Sequence, residues 1–186
     1  MLNLFILSIE AEARTRGVTL TDAQRDRLRT LFAANADLVW RLLRRQGLTK
    51  AQADDGLQQV FVVALDRMPE LEVGKERSFL CATAVQAARR LGEWREDLPG
   101  QLPDMESPER LDEQLESQRQ RLLISKLLAS MEEDLRLVLV LHDIEGLSKR
   151  ETAEALGIPE GTVASRTRRA REVFRQLLSS HVGRSE

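Results

Sequence analysis

Five residues near the C-terminus have the types and spacing to act together: Ser165, Arg166, Arg168, Arg169 and Arg171. A guanidinium is a fixed cation with forked donors, matched to a guanine O6/N7 edge or to a phosphate, and a serine hydroxyl can donate to or accept from either. To converge on one target these side chains must share a helix face. In a helix beginning around Gly161-Thr162, the residues Val163, Thr167, Ala170, Phe174, Leu177 and Leu178 fall in one arc that faces a core. Ser165, Arg168, Arg169, Glu172 and Arg175 fall opposite, while Arg166 and Arg171 flank the apolar stripe. A basic helix face can be merely solvated, so what precedes it decides the reading.

What precedes it is a short, well-delimited helix. Ser148 followed by Glu151 is a capping box, S-x-x-E, which fixes a helix start. Gly146 permits the sharp exit from the helix before it. Ala153 is small enough for close helix contact and Leu156 supplies apolar grip. Gly157 suits a left-handed C-cap, and Pro159 forbids continuation. A short capped helix, a turn and a basic second helix make a helix-turn-helix, whose second helix enters the major groove.

A second polar constellation lies at Asp54, Asp55, Gln58 and Gln59, opposite an apolar stripe of Leu57, Val60, Phe61, Ala64, Leu65 and Met68. The preceding helix spans 22–46, with Leu28, Leu31, Phe32, Leu38, Val39, Leu42 and Leu43 at helical spacing, a cap at Thr21 or Asp22, and Gly47 at its end. Pro69 and Gly74 bracket a loop, and a third helix runs from about Glu76 to Glu96. Around it stand the cations Lys75, Arg77, Arg89 and Arg90 and the aromatics Phe79 and Trp94. Cations along a backbone and rings under bases are what holding a single nucleic-acid strand requires. Phe79 and Trp94 can equally be core residues.

These elements organise as two helical units. Residues 98–117 hold six carboxylates (Asp104, Glu106, Glu109, Asp112, Glu113, Glu116) against Arg110 alone, and Pro99, Gly100, Pro103 and Pro108 punctuate the stretch. The division is therefore an N-terminal extension at 1–21, a first domain at 22–97, a linker at 98–117 and a second domain at 118–182. The apolar run Leu137 to Leu141 reads as helix, because Glu132, Glu133 and Asp134 place anions where a helix N-terminus favours them and no partner strand is evident.

The totals agree. Of 186 residues, 42% are hydrophobic, enough for a core in each unit, while Gly and Pro are sparse and helix formers dominate, so the class is all-α. The single cysteine, Cys81, excludes a disulfide framework and reads as a buried small hydrophobe. His142 and His181 are too few and too far apart for a metal site. No nucleophile elbow, phosphate loop or metal spacing organises the remaining polar residues, so the expectation is no enzyme, no cofactor and no metal. Leu2 to Ile9 is apolar, but about eight residues cannot cross a bilayer, and no basic segment or cleavage site accompanies them. A cytoplasmic protein without membrane insertion is expected. A net charge of −2 predicts weak DNA binding by the chain alone, although 160–175 carries five arginines against Glu160 and Glu172.

The string from Asp143-Ile144-Glu145-Gly146-Leu147-Ser148 through Glu151-Thr152-Ala153-Glu154-Ala155-Leu156-Gly157-Ile158-Pro159-Glu160-Gly161-Thr162-Val163-Ala164-Ser165-Arg166, followed by Arg169-Ala170-Arg171, resembles region 4 of bacterial sigma factors of the extracytoplasmic-function type. Asp54-Asp55-Gly56-Leu57-Gln58-Gln59-Val60-Phe61 is similar to that family's D-L-V-Q-E-x-F helix in region 2, with Gln59 in place of the family's Glu. Phe79 to Arg90 falls where the family has a W-L-x-x-I-A-R-N-like helix, with Phe79, Val85 and Gln86 replacing its Trp, Arg and Asn. The resemblance implies a subunit that joins RNA polymerase core and selects promoter DNA. Asp54, Asp55, Gln58 and Gln59 would contact the β′ subunit. Ser165, Arg166, Arg168, Arg169 and Arg171 would read the −35 element. Lys75, Arg77, Phe79, Arg89 and Arg90 would handle the −10 element, with the loop at 68–78 capturing a flipped base. It further implies an anti-sigma factor as partner. Two other readings remain open on the residues: a helix-turn-helix regulator that binds DNA as a homodimer, and a sigma-like decoy that binds an anti-sigma factor.

Overall fold

In the computed structural model, residues 2–15, 17, 19–93, 120 and 123–182 are described; the linker at 98–117 and Trp94 lie outside them. The chain divides into two units, Met1–Leu102 and Pro103–Glu186.

The first unit is built from α1 (Leu2–Thr15), α2 (Asp22–Arg45), α3 (Lys50–Asp66) and α4 (Glu76–Glu93). Capping boxes start two of them: Thr21 with Gln24 opens α2, and Thr49 with Gln52 opens α3. The expected stripe on α2 is buried throughout, and α2, α3 and α4 pack against one another around Leu28, Leu42, Leu43, Phe61, Leu65 and Leu80. Gly56 lets α3 approach closely: a Cβ there would sit 3.1 Å from Leu43 Cδ1 and 3.3 Å from Leu91 Cδ1. Cys81 is a fully buried thiol in this core.

The first 21 residues contain a packed helix. Helix α1 lies against α3 and buries Ile6 and Ile9. Its Phe5 ring meets Phe32 at 4.6 Å between centroids, and Phe32 meets Phe61 at 4.8 Å, continuing one aromatic row into the core. Glu10 lies 3.4 Å from Arg25 and anchors the same helix to α2.

The second unit comprises α5 (123–129), α6 (Glu133–Val138), α7 (Lys149–Leu156) and α8 (Glu160–Val182). The run at 137–141 is helical, as its acidic start suggests, but α6 does not continue as α-helix. It passes directly into a π-helical segment, Leu139–Ile144, closed by Glu145 N–H to Val140 O at 2.9 Å. Val138, Ala153 and Val163 form the buried centre, with Leu156 and Ile158 packed on it. Two buried threonines inside it spend their hydroxyls on their own helices: Thr152 donates to Ser148 O and Thr167 to Val163 O, at 2.9 and 2.7 Å. The inward arc of α8 holds at Val163, Thr167 and Ala170, whereas Leu178, expected inside, is exposed. Among the described residues no helix is long and apolar enough to cross a membrane, and no three potential ligands cluster around a metal site.

Candidate nucleic-acid interface

The helix-turn-helix is assembled by local chemistry. Ser148 Oγ accepts the Glu151 backbone N–H at 3.2 Å, and Glu151 Oε2 accepts the Ser148 N–H at 2.8 Å, so both orphan donors are met. Gly157 sits at φ 65°, ψ 33°, in the left-handed region where a side chain is strained, and ends α7. Pro159 O then accepts from Thr162 and Val163, and α8 begins at Glu160.

On α8 the five candidate residues divide into two groups. Ser165, Arg168 and Arg169 are exposed together. They line an open groove of about 390 Å³ with Arg166, Leu135, Glu132 and Asp134 from the start of α6. Arg166 is half-buried and pairs with Asp134 at 2.7 Å. Arg171 grips Asp143 through both Nε and Nη2, each at 2.6 Å. These two arginines thus tie the basic helix to α6 and to the π-helical segment. Such a bidentate fork is directional as well as charged, so it fixes the helix's rotation about its axis. Ser165 Oγ donates to Thr162 O at 3.0 Å, which leaves its lone pairs free for an incoming donor.

Arg171 also holds the Asp143 carboxyl below the usual carboxylate range, chiefly through its hydrogen bond. A depressed folded-state pKa adds stability that is complete above the unfolded value, about 3.9, and is lost as pH falls through the lower folded value. The melting-temperature advantage of wild type over Asp143→Asn should therefore shrink between about pH 5 and pH 3. The pair is largely solvent-exposed, so the advantage at neutral pH will be small. A gap that stays constant down to pH 3 would refute the pairing.

Sequence reasoning missed Lys149 and Arg150, both exposed on the first turn of α7. Their position immediately after the capping Ser148 is the signal that could have found them, because the first helix of such a motif crosses the DNA backbone.

In the first unit, the α3 face is also divided. Asp55 and Gln59 are exposed. Asp54 is exposed too, but its Oδ1 accepts the Trp40 indole N–H at 2.8 Å, and the Arg44 guanidinium lies 5.6 Å over the same ring. Gln58 is half-buried, its amide donating to Ser8 and Glu12 of α1 at 3.1 and 3.2 Å. One residue of the expected docking face is thereby engaged by the N-terminal helix.

The residues assigned to −10 DNA fall at the two ends of α4. Lys75, exposed, and Arg77 and Phe79, half-buried, stand at its start. Arg89 and Arg90 are exposed near its end, about 18 Å further along at 1.5 Å per residue. Lys75 meets Glu72 at 2.6 Å and pulls its carboxyl below the ordinary range, mainly by hydrogen bonding. Val85 is buried and Gln86 exposed on the helix between. At the loop's apex Val73 is 91% exposed, and Gly74 beside it has φ 87°.

The fold and the site define a helical protein of two units, the second a helix-turn-helix with its basic helix outward. The family model for sigma-70, region 4 matches residues 121–173. The chain is 30% identical over 157 residues to the ECF RNA polymerase sigma factor SigE of Mycolicibacterium smegmatis, covering 81% of this chain and 61% of that one. It is 38% identical over 75 residues to the ECF RNA polymerase sigma-E factor of Escherichia coli K12, covering 40% and 38%. It thus spans less than two thirds of the length of either relative. Its fold is similar to CnrH, solved in complex with the cytosolic domain of CnrY, with a TM-score of 0.64, 21% identity and coverage of 92% and 96%. It is also similar to the sigma factor RpoE of Bartonella quintana, solved with the anti-sigma factor NepR, with a TM-score of 0.57, 20% identity and coverage of 80% and 94%. Residues 121–173 thus match sigma-70 region 4, and over 157 residues the chain is similar to a sigma factor of the extracytoplasmic-function type.

Proposed function

We propose that this chain is a sigma factor that binds RNA polymerase core and directs it to promoters. The observation that carries the reading is the recognition helix: Ser165, Arg168 and Arg169 stand exposed on α8, behind a capped α7 and a left-handed Gly157. Arg168 and Arg169 supply the forked donors for base edges or phosphates of the −35 element. Arg166 and Arg171 act mainly by holding the helix at the right rotation. Lys149 and Arg150 grip the adjacent backbone. The loop at 68–78 and the cations of α4 engage the −10 element.

The weak net charge suits this role. A sigma factor needs little affinity for DNA by itself, because polymerase supplies the second attachment and linked weak sites reinforce each other. Asp54, Asp55, Gln58 and Gln59 form the proposed contact with the β′ subunit, and of these Asp54, Asp55 and Gln59 are exposed. An anti-sigma factor is the other partner proposed, on the family resemblance. The reaction chemistry belongs to the polymerase; this chain contributes recognition.

Core capture tests the reading. The wild-type chain should bind polymerase core and direct a specific transcript. Asp55→Ala combined with Gln59→Ala should weaken core binding by about tenfold, the scale of a truncated interface anchor, without loss of helicity. Unchanged capture by the double variant would remove the α3 face from the interface. Autonomous binding to two-fold symmetric DNA, with no binding to core, would favour a homodimeric regulator instead.

A further inference from the structure

We propose that Arg27 is a positioning residue for promoter opening, acting as the strut that shapes the loop between α3 and α4. This deepens the proposed function and rests on its assignment of that loop to the −10 element. Arg27 lies on α2, about forty residues before the loop it holds. Its Nη1 donates to Met68 O at 3.0 Å and its Nη2 to Leu71 O at 2.6 Å. The same Nη2 lies 3.8 Å from Glu76 Oε1, in the first turn of α4. One planar fork therefore ties together the exit from α3, the middle of the loop and the entry to α4.

The remainder of the loop is arranged around that strut. Met68 and Leu71 turn their side chains into the core, at 2% and 9% exposure. Glu76 Oε2 accepts the Gly74 N–H at 2.6 Å, and Gly74 takes a positive φ that closes the turn. Between these fixed points Val73 projects almost wholly into solvent. An exposed apolar tip on a braced loop can meet an unstacked base in a defined place, whereas the same tip on a loose loop would have to be ordered at the moment of binding. Arg27 suits the task because its guanidinium reaches two carbonyls at once; a lysine ammonium has no such fork. Its bonds are charge-assisted and half-sheltered, so their loss would be felt locally.

The test uses the full chain in holoenzyme with polymerase core. Open-complex formation is compared on a duplex promoter, on promoters with single −10 substitutions, and on a promoter with a pre-melted −10 bubble. R27Q should lower discrimination among −10 sequences by about tenfold, the low end of what losing a hydrogen bond from a charged group costs, with core capture near wild type. R27K should fall between the two, and the bubble promoter should recover part of the lost opening. Unchanged −10 discrimination in R27Q would overturn the proposal, as would a matching loss of core capture. V73D separates the two levels of argument. If V73D alters −10 preference and R27Q does not, Arg27 alone is misassigned. If V73D also leaves preference unchanged, the loop does not face the −10 strand and the proposal falls with that reading. Should R27Q lose helicity, R27K is judged by the same criteria.

Discussion

Arg169→Ala is expected to weaken −35 recognition by about 1–3 kcal/mol and to relax preference at one or two positions of the element. Arg169 is exposed on the third turn of α8, shares a groove with Ser165 and Arg168, and lies on the opposite side of the helix from the buried Val163, Thr167 and Ala170. A base contact and a phosphate contact leave different signatures. Loss of a bidentate base contact changes the ranking of promoter sequences. Loss of a phosphate contact lowers affinity evenly and reduces the salt slope by about one. Binding of holoenzyme to a set of single-base −35 variants, at two salt concentrations, distinguishes them. Wild-type affinity and ranking in the variant would exclude Arg169 from the interface. Arg171→Ala makes an informative companion, because Arg171 is held by Asp143 and its loss should act through helix placement.

Neutralising Arg89 and Arg90 together, each to Gln, should reduce open-complex formation on duplex promoters by an order of magnitude or so, since each phosphate-holding cation contributes to both affinity and its salt dependence. Both side chains are exposed at the C-terminal end of α4, and Arg90 Nε reaches Gln86 O at 3.4 Å. That placement also makes them favourable to the helix dipole, so a melting control must accompany the assay, with a cost of about 0.3–1 kcal/mol from the dipole alone. A pre-melted −10 bubble should restore part of the activity, because the cost of opening is already met. If the double variant opens duplex DNA normally, the strand does not run along this end of α4. If wild type opens no promoter with core, the decoy reading gains. Arg89 stands about 18 Å along α4 from Arg77, so the two ends of the helix can hold successive parts of one strand rather than the same nucleotide.

Much about this chain follows from residues near one another in sequence. Capping boxes are three-residue patterns, and the one at Ser148 and Glu151 can be read directly; the same logic would have found Thr49 with Gln52. Gly157 at a left-handed C-cap and Pro159 after it fix the turn before the recognition helix for local steric reasons. The apolar spacing of α2 and α3 and the inward arc at Val163, Thr167 and Ala170 are also local, because helix periodicity alone decides which face a residue joins. The all-α class and the outward position of Ser165, Arg168 and Arg169 were therefore legible without coordinates.

What the tertiary structure decided is which polar residues are already occupied. Arg171 and Asp143 are 28 positions apart, Arg27 and Leu71 are 44, and Gln58 and Ser8 are 50. No periodicity links such pairs, since their meeting depends on how whole helices pack. The consequence is a changed division of labour on α8, where flanking Arg166 and Arg171 make intramolecular ion pairs while their neighbours face outward. The π-helical segment was hidden for a related reason: Leu139, Val140 and Leu141 are equally apolar in an α or a π turn, and only the hydrogen-bond register tells them apart. Leu178 shows the same limit from the other side. Its wheel position points inward, but a helix face is buried only as far as there is another element to cover it, and at 37% exposure Leu178 lies beyond that cover.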